Sequence, residues 1–402
     1  MSISTRAAAA DPAPARDRFE PGVLPVMAGD TDVGFKLGAF GQLARFRDGV
    51  RPYAWRAQVL AVTSIKKEAT GTEFPYREAA ARLDWPAAAA PLLRPSFDVA
   101  YLRTTNRGYY GVGNASHAEQ KWAGLPEGSD AYVAARRFYQ FDGTTLRTGA
   151  AVVGAPLPFL RTLSSVRLER TSIEVYPGSL LEQEAHRLHG VGDYTGIVFG
   201  VGLAVDTRDH ETVPTSGQHL QLAFRQSPGV FASEPYLGAT LHLRSWFPVT
   251  GERLVIGARL IGDVLSRRAP LLELGRHGGF ETGRGPGGGM GVRGLPDGRL
   301  IGRTKLIGNL EARSMFWHFQ SAQERFTLGA AAFADAGRVY AGSFRSVSPL
   351  DGSGWTFHPG FGGGPRFRWG DSLLVRADFA YAPLARETGA VPGVYVDVEH
   401  VL

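Results

Sequence analysis

A period of two runs through almost the whole chain and constrains what it can fold into more than any other feature. Leu237, Ala239, Leu241 and Leu243 alternate with Gly238, Thr240, His242 and Arg244, and Ile197, Phe199, Val201, Leu203 and Val205 alternate with Gly196, Gly200, Gly202 and Asp206. Near the end, Leu373, Val375, Ala377, Phe379 and Tyr381 share one face while Arg376 and Asp378 share the other. Successive side chains of a strand point to opposite faces, so each segment reads as a strand with one apolar and one wet side. Alternation bounded by turn residues predicts strands at 33–46, 53–66, 74–86, 94–106, 130–141, 143–158, 160–177, 194–207, 216–227, 236–248, 253–266, 300–319, 325–340, 356–368, 371–384 and 392–402, about sixteen in all. Helical periodicity is almost absent; even 77–85, with helix-forming composition, reads as a strand in its context.

So many antiparallel strands without intervening helices leave a soluble sandwich, a propeller or one closed barrel. Polarity decides among them. Arg303, Lys305, Asn309, Glu311 and Arg313 fall on one face of a single segment. A sandwich core would be apolar there, whereas the lumen of a transmembrane barrel is polar. Aromatic residues gather toward strand ends, at Tyr53 and Trp55, Trp246 and Phe247, Phe316 and Trp317, Trp355 and Phe357, and Trp369, where interfacial girdles belong. The expected fold class is therefore all-β, a transmembrane antiparallel β-barrel.

Composition closes other routes. A hydrophobic fraction of 44% is too high for a disordered chain, and no run approaches the roughly 18 apolar residues of a membrane-spanning helix. The chain has no cysteine, which excludes disulfides, Cys-ligated zinc and Cys nucleophiles. Its 44 basic and 38 acidic residues are interspersed rather than gathered in a stripe, so no nucleic-acid partner is expected. Residues 1–32, rich in Ala and Pro, read as a tail, and 33–402 as one barrel per chain.

One segment breaks the strand rhythm. The glycine-rich loop 267–299 contains RHGGFETGRGPGGGMGVRGLPDGR and includes Val292-Arg293-Gly294-Leu295. Loops this long are usually functional. It is no phosphate cradle, because it lacks Gly-Lys-Ser/Thr and is followed by a strand. That strand carries Asn309-Leu310-Glu311-Ala312-Arg313, and the one after it Phe333-Ala334-Asp335-Ala336-Gly337-Arg338-Val339-Tyr340. Together these motifs resemble the BamA/TamA-type outer-membrane assembly and translocation barrels (the surface-antigen barrel domain), whose largest extracellular loop folds into the lumen with a Val-Arg-Gly-Phe/Tyr motif. Leu295 stands where that family has an aromatic. The resemblance implies that Arg293 docks on the inner wall against Glu311 and against Asp335 of a Phe-x-Asp-x-Gly motif formed by Phe333, Asp335 and Gly337. Elementary electrostatics agrees, since a guanidinium carried into a lumen must find carboxylates to match its planar fork. Asp206, Arg208, Asp209, Pro214 and Gly217 are similar to the family's periplasmic Asp-Thr-Arg-Asp…Pro-x-x-Gly hairpin, and Tyr109–Asn114 to its Phe/Tyr-Gly-x-Gly-Asn segment. The resemblance covers residues 30–402, with eleven predicted strands before the loop and five after.

It implies a bacterial outer-membrane barrel that assembles or transports protein or lipid-like cargo through a lateral gate between its first and last strands, in contact with the outer-membrane lipid bilayer. The 32 residues before the predicted barrel are too few for a POTRA domain, so a separately encoded periplasmic or lipoprotein partner is implied, and the start, lacking an apolar h-region, implies a leader already removed. A plugged pore for small solutes and a structural barrel anchoring a partner are the alternatives. No enzyme signature, cofactor motif or metal cluster is recognisable; His186 and His189 form only a single pair and read as solvated loop residues.

Overall fold

The computed structural model describes residues 17–397 except 31–32, 49, 51–52, 69–70, 89–91, 116–118, 127, 211–212, 232, 251–252, 281, 322–323, 370–372 and 387–392. The long strands are β1 (Arg18–Asp30), β2 (Gly34–Phe46), β3 (Trp55–Glu68), β4 (Tyr76–Asp84), β5 (Leu93–Gly108), β6 (Gln140–Leu157), β7 (Leu160–Val175), β8 (Asp193–Asp206), β9 (Gly217–Ser227), β10 (Tyr236–Pro248), β11 (Leu254–Leu265), β12 (Thr304–Ser321), β13 (Glu324–Tyr340), β14 (His358–Trp369), β15 (Leu373–Tyr381) and β16 (Gly393–Asp397). Each pairs antiparallel with its chain neighbours, and β1 also meets β16 at Gly29 and Val396, so the pairings run in a ring. The short strand Gly71–Glu73 pairs with β3. No helix among the described residues is long and apolar enough to cross a membrane.

The wall is built inside out. On β9, Leu222 and Phe224 are 44% and 52% exposed, while Gln221 and Arg225 are 5% and 8% exposed. The same inversion holds on β12, where Leu310 faces outward and Lys305, Asn309, Glu311 and Arg313 are buried inward. Exposing Leu and Phe while enclosing Arg and Glu is favourable only when the surroundings are hydrocarbon and the inside is polar. Of the aromatics expected in girdles, Phe247, Phe316 and Trp317 are exposed, and beside the last two the Phe319 and Phe326 rings stack at 5.2 Å and Phe326 and Phe367 at 5.9 Å. Tyr53 and Trp246 depart from that expectation. Both are buried, and the Tyr53 hydroxyl donates to Asp84.

Two further expectations are corrected. Residues 130–137 form a helix, α1 (Asp130–Arg137), because Ser129 accepts a capping hydrogen bond from the Tyr132 N–H and Asp130 and Arg136/Arg137 complement its dipole. The tail expected over 1–32 gives way at Arg18–Asp30 to the first wall strand, paired with β2 from Arg18↔Phe46 to Asp30↔Gly34. Its alternation, Phe19, Val23 and Met27 facing outward, is interrupted by Pro21 and Pro25, which have no ladder donor to give. The wall thus begins with β1 rather than at 33. Residues 1–16 and 398–402 lie outside the described residues.

Tight turns join strands at one end, as at 158–159 between β6 and β7, whereas segments 109–139, 176–192, 266–303 and 341–357 crowd the other. Tyr109, Phe141, Leu181, Leu265, Leu271 and Leu274 form an apolar cluster there. Across the same mouth, the Asn114 side-chain amide donates to the Thr356 carbonyl at 3.0 Å, and its carbonyl oxygen accepts from the Val339 N–H at 3.2 Å. These contacts cap the lumen at the long-loop end.

Candidate functional site: the plugged lumen

Between β11 and β12 the chain folds back on itself and fills the lumen. It forms a helical turn at Leu271–Leu274 and pairs Arg276 with Arg284. It then closes on itself through Gly288 N–H to the Leu295 carbonyl at 2.8 Å. Val292, Leu295 and Leu300 are buried with Val339, Ala382 and Leu384. Leu295, where the resemblance expects an aromatic, is fully enclosed. Close approach of loop to wall depends on glycine. A Cβ on Gly337 would lie 2.6 Å from Val292 Cγ2, and Gly294, at φ +93°, would place one 2.8 Å from the Ala382 nitrogen.

Arg293 sits at the centre with no exposed surface. Its Nε and Nη2 donate to the two Asp335 oxygens at 2.8 and 3.0 Å, and its own backbone N–H donates to Asp335 at 3.0 Å. Nη1 reaches Glu311 at 3.0 Å and Asp378 at 3.2 Å. The guanidinium lies 3.4 Å from the centroid of the Phe333 ring. Three carboxylates around one cation would repel each other, but Arg366 donates to Asp378 at 2.7 Å and to Glu311 at 3.2 Å, and Arg376 donates to Asp378 at 2.5 Å. Asn309 donates to Asp335 at 2.7 Å. Arg293, Glu311, Phe333 and Asp335 thus meet at one point of the wall, with Gly337 beside them; Asp378, Arg366 and Arg376 complete the network.

A second ionic cluster holds the first part of the loop against a different sector of the wall. Glu273, 3% exposed, accepts from Arg167 at 2.9 Å and from Arg225 at 3.1 Å. Arg225 is bidentate to Asp263 at 2.8 and 3.1 Å, and Lys305 stands 2.9 Å from the same carboxylate. Arg276 of the loop donates to Glu169 of β7 at 2.8 Å. The loop offers a cation, Arg293, at the first latch, and an anion, Glu273, together with a cation, Arg276, at the second. Among the described residues no group of His, Asp and Glu is arranged to hold a metal ion.

Residues 135–392, which include the loop and both latches, match the Omp85 superfamily domain. The chain belongs to the Omp85 superfamily. The structure of BamA from Haemophilus ducreyi lacking POTRA domains 1–3 matches with a TM-score of 0.58 at 9% identity, over 96% of this chain and 70% of that one. CdiB from Escherichia coli matches with a TM-score of 0.58 at 14% identity, over 94% of this chain and 62% of that one. At such identities the likeness is one of fold. No curated protein matches the chain in sequence. This Omp85 protein is an outer-membrane β-barrel, and by the rule that such barrels have short periplasmic turns and longer extracellular loops, the capped end faces outward.

At the periplasmic end the β8–β9 hairpin carries the remaining motif. Arg208 is bidentate to Asp206 at 2.8 Å on both arms, and its guanidinium lies 6.0 Å from the centroid of the buried Trp246 ring. Pro214 is buried, and Gly217 holds φ +101° where a Cβ would meet the Thr207 carbonyl at 2.3 Å. Asp209 accepts from the Thr215 N–H at 2.9 Å, His210 N–H at 3.0 Å and Ser216 N–H at 3.2 Å, and from the Thr215 hydroxyl. Burial pushes its carboxyl up, but the Thr215 hydroxyl and then these amides outweigh it and hold the pKa down at about 2. A depressed carboxylate stabilises the fold above its ordinary value near 3.8 and loses that contribution as pH falls through about 2. Amide exchange at Thr215 and Ser216, corrected for the intrinsic pH dependence, should therefore lose protection between pH 4 and 2 in the native hairpin. An Asp209→Asn variant should show no such transition.

Proposed function

We propose that the barrel moves protein or lipid-like cargo at the outer membrane by opening sideways between β1 and β16, a non-enzymatic role. The observation that carries this reading is the sequence of β1, the strand at the seam. β1 meets β16 at Gly29↔Val396 and carries Pro21 and Pro25 along its length. Neither proline supplies a ladder donor. A strand short of ladder donors is where a closed sheet parts with least loss of hydrogen bonds. A periplasmic or lipoprotein partner that delivers cargo to this end belongs to the same reading.

The test uses the absence of native cysteine. Gly29→Cys with Val396→Cys places two thiols at facing positions, so the disulfide they form is the only one in the chain. Oxidation should abolish cargo assembly or transport in cells, and reduction should restore it. Full activity of the oxidised protein would sink the lateral route, and solute flux that persists with the seam locked would favour the plugged-pore alternative.

A further inference from the structure

We infer that Tyr395, on the last strand, is a positioning residue that ties the docked lumen loop to the seam, so that loop release and seam opening are one coupled event. The Gly294 N–H, next to Arg293, donates to the Tyr395 hydroxyl at 3.0 Å in a buried contact. Gly289 of the same loop lies against the ring: a Cβ there would stand 3.0 Å from Tyr395 Cδ1. The Gly289 carbonyl is in turn held by Arg376 of β15 at 3.2 Å. On the wall side Tyr395 shares a buried cluster with Phe333 and Ala380, and Phe333 is the ring against which Arg293 is seated. The next residue, Val396, makes the seam contact with Gly29. A continuous set of packed groups therefore runs from the Arg293 latch through Phe333 and Tyr395 to the seam. A loop seated on Tyr395 favours the position of β16 that pairs with β1, and by linkage a β16 paired with β1 favours the seated loop. Coupling of this kind is read as the interaction between the two events.

The inference rests on the proposed seam, but its test reads the resting barrel without cargo. In the Gly29→Cys/Val396→Cys protein, the rate of protease cleavage within 276–299 is compared with the seam disulfide oxidised and reduced. With Tyr395 present, oxidation should slow cleavage roughly fivefold, the ratio equivalent to one net hydrogen bond of about 1 kcal/mol. In the same protein carrying Tyr395→Phe that ratio should collapse toward one. A merely structural tyrosine would raise both rates and leave their ratio unchanged, which would overturn the inference. Should Tyr395→Phe fail to give folded barrel, Gly289→Ala presses the same contact from the loop side and should collapse the ratio equally. A seam lock that eliminates the cargo activity while leaving loop cleavage untouched would preserve the lateral route and remove Tyr395 from it.

Discussion

Arg293→Ala is expected to free the second half of the lumen loop and lower the yield of folded barrel. The side chain is fully enclosed and bonded to three carboxylates, and removing one partner of a buried ionic network leaves the others uncompensated at about 3 kcal/mol or more. The loss falls unevenly. Glu311 and Asp378 keep Arg366, and Asp378 also keeps Arg376. Asp335 loses the guanidinium and retains its bond from Asn309. The expected result is cleavage within 276–299 about a hundredfold faster than in the native barrel, the factor equivalent to roughly 3 kcal/mol. Adding Asp335→Asn to Arg293→Ala should recover part of the yield by removing the stranded charge. Arg293→Lys should fall between, since an ammonium keeps the charge but cannot bridge both Asp335 oxygens and reach Glu311 and Asp378 with one planar fork. Native protection and yield in Arg293→Ala would show that the apolar seat of Val292 and Leu295 holds the loop unaided.

The architecture was legible because a period-two pattern states which face each residue occupies. On β8, β10, β12 and β15 the face read as apolar is the outward one, and Glu311 falls on the inward face with Lys305 and Asn309. What the period cannot show is where a strand is interrupted or where a short helix imitates one. Pro21, Gly22 and Pro25 broke β1 into pieces that merged with the Ala/Pro-rich tail. Tyr132 and Val133 gave α1 the apolar content of a strand, although the cap at Ser129 and the charge order from Asp130 to Arg137 were local helix signals that the strand rhythm overrode. One strand missed and one helix taken for a strand offset each other, so agreement in number concealed a disagreement in membership. The consequence was functional, because it moved the seam from β2 to β1.

The candidate site was legible where a short motif carried it and opaque where charge pairing was set by the closed ring. Arg293, Glu311 and Asp335 lie in recognisable segments, and the structure brings them within hydrogen-bond reach. Asp378 was placed on an inward face beside Arg376, but its contact with Arg293 comes from the wrap of β15 toward β12 through β13 and β14, which no local pattern records. Glu273 is a lone carboxylate in Pro270-Leu271-Leu272-Glu273-Leu274. Its position in an apolar run hinted that it must be paired if buried. Identifying Arg167 and Arg225 as its partners required the loop to fold back against the inner faces of β7 and β9, which flank β8.

The two latches together should decide whether the lumen is closed. Each draws on its own side chains: Asp335, Glu311 and Asp378 hold Arg293, while Arg167 and Arg225 hold Glu273. Perturbations at sites without shared partners add. Glu273→Ala leaves Arg225 bonded to Asp263 and Arg276 bonded to Glu169, so that latch alone should loosen the first half of the loop without expelling it. Arg293→Ala alone leaves that half seated. In either single variant the surviving latch keeps the polypeptide across the lumen, and conductance in planar bilayers should remain close to the native level with brief openings. The Arg293→Ala/Glu273→Ala barrel loses both, each at about 3 kcal/mol, and should show long-lived openings and a mean conductance well above the sum of the two single variants. Folding must be verified on the same preparation by slower gel migration after boiling than before. A folded double variant that conducts no more than the native protein would mean that the cap formed by the Tyr109, Leu181 and Leu271 cluster at the extracellular mouth, rather than the ionic latches, seals the barrel.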